Sequence, residues 1–284
     1  MGEGALKVIG VGDNVVDTYV NEHIMFPGGN ALNFSVFSAM LGCDSAYLGV
    51  FGTDEAASHV QKTLLAVGVD ISRCRCADGE NGQALLTIEK GERIFISSNQ
   101  GGIAKSVPMD FIFEDIGYLQ SFSIVHTSAY SYMDACLPKL QSLSPLVSYD
   151  FSDDFDHEHV LALCPYIDIG FFSCSGWPEA TSRELLEEAV EHGCSMAVAT
   201  RGSQQVILFD GSSWFEQAPL PITPTDTLGA GDAFISQFLV SYVGGKTKAS
   251  FSQAPLIENA LREAISFAAE ICQVQGSFGH GLRY

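Results

Sequence analysis

The segment Asp226-Thr227-Leu228-Gly229-Ala230-Gly231-Asp232-Ala233-Phe234 concentrates residue types suited to moving a phosphoryl group. Gly229, Ala230 and Gly231 stand just before an apolar helical run from Ala233 to Val240. Backbone N–H groups left bare at a helix start, together with the partial positive charge there, make an anion site. Asp232 falls in the first turn beside that site. A carboxylate in this place would repel a phosphate unless it had work, such as accepting the proton of an attacking hydroxyl. The plain alternative is a Gly-rich turn whose acidic residue merely suits the helix dipole.

Three other stretches offer chemistry. Pro27-Gly28-Gly29-Asn30-Ala31-Leu32-Asn33 enters a helix. Its paired glycines let backbone approach a polyol closely, and the amide of Asn33 both donates and accepts. Asn30 is either part of the same surface or only a helix cap. Gly12-Asp13-Asn14-Val15-Val16-Asp17 follows an apolar strand. Carboxylates at the end of a buried strand cost desolvation unless hydroxyls, amines or solvent satisfy them. Asp13 and Asn14 either line a pocket or make the turn. Ala199-Thr200-Arg201-Gly202-Ser203-Gln204-Gln205 is a strand end followed by a turn.

These motifs need a frame, and the hydrophobic pattern supplies one. Leu6–Val11, Ala46–Val50, Leu146–Asp150, Ile167–Phe172 and Met196–Thr200 read as short buried strands. Between them, helices are expected from Asn30 to Leu41, from a Thr53 cap to Gly68, and from Pro178 at the first helical position to Gly193. The helix from Ile257 to Gln273 carries its apolar residues on one face. Strand–helix alternation of this kind predicts a mostly parallel sheet with helices on both faces, and ligands gather at the carboxyl ends of its strands. Asp150 and Thr200 fall at such ends. One region breaks the rhythm. Gln83–Ile88 and Arg93–Ser97 flank Glu89-Lys90-Gly91-Glu92 as a hairpin, and Val15–Val20 could join it in a small β layer. A second hairpin, Val206–Asp210 and Trp214–Glu216, turns at Gly211-Ser212.

Composition narrows the class. The 284 residues carry 14 Lys and Arg against 34 Asp and Glu, a net charge of −20. So few cations argue against nucleic acid or an anionic membrane as partner. No basic leader or long apolar span appears, and the eight cysteines are scattered without zinc spacing. A cytoplasmic protein with reduced thiols is expected.

Asp226 to Phe234 resembles the DTxGAGDxF signature of the ribokinase-like (PfkB-type) sugar kinases. The resemblance implies Asp232 as catalytic base, the amides of Gly229, Ala230 and Gly231 as anion hole, and Asp226 beside a monovalent cation. Gly28, Gly29 and Asn33 match the family's sugar-binding GGxxxN element, and Asp17 its sugar-hydroxyl acceptor, with Asp13 alongside. Thr200, Gly202 and Ser203 match the nucleotide loop, although Gln205 replaces that loop's second glycine. The family's NxxE element is absent, with Ser173 and Gly176 in its place and Glu179 the nearest substitute. The implied fold is α/β, a three-layer α/β/α sandwich with a mostly parallel sheet. One domain over 1–284 is expected, with lid strands inserted at about 13–27 and 82–102. ATP with Mg²⁺ as phosphoryl donor, a small-molecule sugar acceptor and a lid-mediated homodimer follow from the same resemblance. GDNVVDTYV, FPGGNALN, VGVDIS, DFSDD and QAP resemble the fructoselysine 6-kinase branch. There Asp150 and Asp153 could pair with amines and Arg93 with a carboxylate, the alternative being structural or surface charges; His126 points into the same region, although a lone strand-end histidine is more often structural. The alternatives are fructokinase or another simple sugar or nucleoside kinase, and a catalytically weak sugar sensor.

Overall fold

A computed structural model describes residues 5–89, 92–248 and 253–284. The chain opens with β1 (Lys7–Gly12), β2 (Val15–Tyr19), β3 (Ile24–Gly28), α1 (Asn30–Met40), β4 (Asp44–Phe51) and α2 (Glu55–Val67). Then come β5 (Arg75–Cys76), β6 (Gly82–Glu89), β7 (Glu92–Ser98), α3 (Ile116–Gln120), β8 (Ile124–Ser128) and α4 (Leu137–Gln141). The second half holds β9 (Leu146–Asp150), α5 (His157–Leu163), β10 (Ile169–Ser173), α6 (Glu179–Glu191), β11 (Met196–Thr200), β12 (Val206–Phe209) and β13 (Trp214–Gln217). It closes with α7 (Ala230–Lys248), α8 (Gln253–Ile271) and β14 (Leu282–Arg283).

The main sheet runs β13-β12-β11-β10-β9-β8-β1-β4-β5. Its strands are parallel except that β12 and β13 pair antiparallel at one edge. Side chains alternate across a strand, so each face collects its own core. Ile9 and Val11 pack with residues from α4, α5 and α6 on one face; Val8, Phe171 and Val198 pack with α7 and α8 on the other. This is the expected three-layer arrangement. The helix α1 sits directly on β1 because Gly10 has no side chain. A Cβ there would lie 2.0 Å from the Ala31 carbonyl oxygen.

A second sheet, ordered β14-β3-β2-β6-β7, stands beside the first. Strands β2, β3, β6 and β7 come from residues 15–28 and 82–98, and the two-residue β14 joins them from the far end of the chain. The tip of the β6–β7 hairpin, Lys90-Gly91, lies outside the described residues.

Several local expectations are corrected. The cap of α2 is Asp54, not Thr53: its carboxylate accepts from Ala57 N at 2.8 Å. Pro178 precedes the first turn of α6 rather than opening it. The helix α7 begins at Ala230, three residues before the apolar run, because the small residues form its first turn. The α3, α4 and α5 helices went unread in the sequence. At five to seven residues they are too short to display an amphipathic period.

Candidate active site

The first turn of α7 stands between a cleft and a cluster of acidic side chains. On one side lies a cleft of about 540 Å³ lined by Thr200, Arg201, Gly202 and Ser203, by Ala230 and Gly231, and by Ile265, Ala268 and Ala269 of α8. Its outer wall is the run Pro219-Leu220-Pro221-Ile222, whose two aliphatic side chains are exposed. Polar loop, helix N-terminus and apolar wall suit a ligand with a phosphate end and a flat apolar end. The nucleotide residues expected from the sequence are thus brought together with the Gly-rich turn. One of the three amides in that turn is partly engaged: Ala230 N–H donates to the Thr227 carbonyl at 3.3 Å. Gly229 adopts φ 74°, where a Cβ would meet Ser277 Oγ at 2.7 Å, so the turn requires glycine there.

On the other side the carboxylates of Asp13, Asp17, Asp150 and Asp232 converge. The α1 residues Asn30 and Asn33 share one face, three positions apart. Asn33 Nδ2 donates to Asp232 Oδ2 at 2.7 Å, and Asn30 Nδ2 donates to Asp150 Oδ2 at 2.6 Å. Loss of solvent holds the Asp232 carboxyl well above the usual carboxylate range; Asp150, Asp13 and Asp17 add repulsion, and the Asn33 bond opposes it. Burial likewise pushes Asp150 up to about 6. Asn33 Oδ1 is buried without a hydrogen-bond partner.

Asp13 is already occupied. Its oxygens accept from Asn30 N and Ala31 N, at 2.7 and 3.1 Å, and from the hydroxyls of Ser128 and Ser131 at 3.1 and 2.7 Å. It anchors the start of α1 to the loop after β8. The glycines before α1 leave room for these carboxylates: a Cβ on Gly28 would reach within 2.2 Å of Asp17 Oδ2, and one on Gly29 within 2.8 Å of Asp13 Oδ2. The open space at this GG pair is filled first by the protein's own acids.

Asp226 is a junction. Its Oδ2 accepts the Tyr19 hydroxyl at 2.7 Å and Gly276 N at 2.9 Å, while Oδ1 accepts Leu228 N at 3.0 Å. Glu179 is drawn to Arg183 and Arg201, at 2.8 and 3.4 Å, so its carboxylate is committed to arginines. Among the described residues no three His, Cys, Asp or Glu side chains assemble as a metal site. For His126 the structural reading holds, not the one that points it into the site. It is fully buried, bonded to Ser148 Oγ at 2.7 Å and packed on Phe34, and burial lowers its pKa to about 3. It belongs to the core. Arg93 lies on β7, and its side chain is outside the described part of the structure.

The model for pfkB family carbohydrate kinases matches residues 5–277. The chain belongs to the pfkB family of carbohydrate kinases. It is 40% identical to fructosamine kinase FrlD of Bacillus subtilis (strain 168) over 280 residues, covering 98% of this chain and 95% of that one. It is 30% identical to fructoselysine 6-kinase of Escherichia coli (strain K12) over 270 residues, 94% of this chain and 98% of that one. Among solved structures, fructokinase with bound ATP from Xylella fastidiosa superposes with a TM-score of 0.79 at 16% identity, covering 96% of this chain and 94% of that one. Arabidopsis thaliana ribokinase complexed with ribose and ATP gives 0.77 at 20% identity, covering 98% and 96%. The fold is therefore ribokinase-like.

Within this carbohydrate kinase, sequence reasoning named Asn30 and Asp150 without pairing them, and missed the 219–224 wall and Tyr19. The Asn30–Asp150 pair was legible in part, since Asn30 and Asn33 stand at helical spacing. The 219–224 wall carried a signal too, three prolines with aliphatics between them. Tyr19 carried none, because its partner lies more than 200 positions away.

Proposed function

We propose that this carbohydrate kinase transfers the γ-phosphoryl group of ATP to the 6-hydroxyl of a fructosamine, with fructoselysine as the leading substrate. The observation that carries the reading is the position of Asp232, between an acidic chamber and a nucleotide-sized cleft. Its carboxyl, destabilised as an anion by burial, is a strong acceptor for the proton of an attacking hydroxyl. Amides of the Gly229–Gly231 turn face the charge that develops on the phosphoryl oxygens. Asp17, with Gly28, Gly29 and Asn33, holds the sugar, and the free Oδ1 of Asn33 accepts a further hydroxyl. Asp13 acts by fixing α1. The cleft residues Thr200, Gly202 and Ser203 fit a nucleotide. Mg²⁺ enters with the phosphates of ATP, which with water supply most of its ligands. A monovalent cation at Asp226 would have to share a carboxylate that already accepts three protein donors.

The acidic chamber supports a cationic acceptor over a neutral one. A fructosamine carries a protonated secondary amine, and Asp150 or the exposed Asp153 pairs with it. Residues 1–284 work as one unit in this reading, with the second sheet as a lid over the sugar. The β7 edge strand, where Ile94, Phe95 and Ile96 are exposed, is the surface on which two copies pair. Two named relatives support the substrate: a fructosamine kinase and a fructoselysine 6-kinase.

The test is ADP release with fructoselysine, other fructosamines, fructose, ribose and adenosine. Fructoselysine should lead by kcat/KM; a tenfold preference for fructose would replace it. Asp232→Asn should lower kcat by about a thousandfold while sugar binding persists. If the wild type binds sugar yet turns nothing over, it is a sensor. Sedimentation should show a dimer that Phe95→Glu dissociates; a wild-type monomer removes the pairing.

A further inference from the structure

The second sheet and the Gly-rich turn are joined by more than proximity. Tyr19 lies on β2 with its side chain fully buried. Its hydroxyl donates to Asp226 Oδ2 at 2.7 Å, a hydrogen bond to a carboxylate and so stronger than a neutral one. Asp226 in turn holds the amide of Leu228, the residue that enters the Gly229–Gly231 turn. The Leu228 side chain packs against Tyr19, Phe26 and Leu86, all three in the second sheet. The turn at Gly276-Ser277 wedges into the same junction. Gly276 N donates to Asp226; a Cβ on Gly276 would strike the Phe26 ring at 2.2 Å, and one on Gly229 would strike Ser277.

Two residues along β2 from Tyr19 stands Asp17. Residues i and i+2 of a strand share a face, so the carboxylate assigned to the sugar and the phenol holding the phosphoryl turn ride on the same side of one short strand. A strand is stiff over two residues, whereas the turn after Asp226 is built of small residues with little packing of their own. The side chain of Leu228 and the carboxylate of Asp226 anchor it to the sheet.

We propose that Tyr19 is a positioning residue that couples the sugar side of the site to the phosphoryl side. It fixes Asp226, and through it the Gly229–Gly231 turn, in register with the strand that carries Asp17. This rests on the reading that this turn receives the transferred phosphoryl group. Occupancy of the sugar chamber settles β2, and the settled strand holds the turn amides in place. Binding free energies are reciprocal in such a link: sugar tightens nucleotide by the same factor by which nucleotide tightens sugar.

The experiment uses the full chain and titration calorimetry with a non-hydrolysable ATP analogue, with and without saturating fructoselysine. Wild type should bind the analogue several-fold more tightly with sugar present. Tyr19→Phe removes only the hydroxyl. It should reduce that enhancement to near one and lower kcat by about tenfold, the scale of one charge-assisted hydrogen bond. The Kd for sugar alone should stay within twofold. A merely structural role would lower Tm and leave the sugar dependence of nucleotide binding intact, which would overturn the proposal. Should Tyr19→Phe fold poorly, Leu228→Ala cuts the second anchor and should lose the same enhancement; its retention would overturn the coupling equally. Failure of the catalytic reading registers separately, as turnover persisting in Asp232→Asn.

Discussion

Asp150 is the residue whose cost to the protein is most visible. It is 5% exposed, and burial raises its pKa from 3.8 to about 6. A carboxyl with a raised pKa in the folded state stabilises that state fully below pH 3.8 and loses the contribution as pH rises through about 6. The interval corresponds to about 3 kcal/mol. Asp150→Asn, which keeps an acceptor for Asn30, should therefore be more stable than wild type at pH 8, by up to about that amount. The gap should close toward pH 4. Thermal unfolding across that range checks it, and a gap independent of pH would show that the ionised form carries no penalty. An acid kept at such cost is expected to meet a positive charge when the site is full. At this scale the sequence was most legible where chemistry is local, as at Asp232 and the turn before it. It was least legible where a side chain's partner is remote. Asp13 read as a pocket or turn residue because Ser128 and Ser131, which saturate it, lie more than 100 positions on.

Elements explain the rest of that difference. Parallel strands buried on both faces announce themselves as short apolar runs, and the β1, β4, β9, β10 and β11 strands were readable for that reason. The short helices on the α4–α5 side and the two-residue β14 lack enough residues to show any period. How α1 docks was also hidden in the pattern, although it sets the whole site. Gly10 lets the helix backbone rest on β1, and Gly10 N donates to Ser35 Oγ at 3.1 Å. Gly10→Ala should push α1 outward and cost about 3 kcal/mol, the upper range for overpacking a filled core. Activity should fall further than stability, because Asn30 and Asn33 would move together off Asp150 and Asp232. Denaturant unfolding alongside kcat separates the two. Equal losses would mean that the helix shift does not reach the acids.

For the molecule as a whole, a charge of −20 and an anionic phosphoryl donor pull in opposite directions. Long-range repulsion should slow the approach of ATP at low ionic strength. The KM for ATP should therefore fall as salt rises from about 10 to 150 mM, where the Debye length shrinks to about 8 Å. A KM that climbs over that range would show that the cleft's own amides dominate the approach. The two helices meeting at the site differ in one respect. The first amides of α1 are already capped by Asp13, so that helix presents no vacant positive pole. The α7 helix keeps its pole on the side of the nucleotide cleft. A ligand pair with one anionic and one cationic member can then enter in only one orientation. The polarity that keeps donor and acceptor from exchanging chambers is written into which of two neighbouring helices has had its end neutralised.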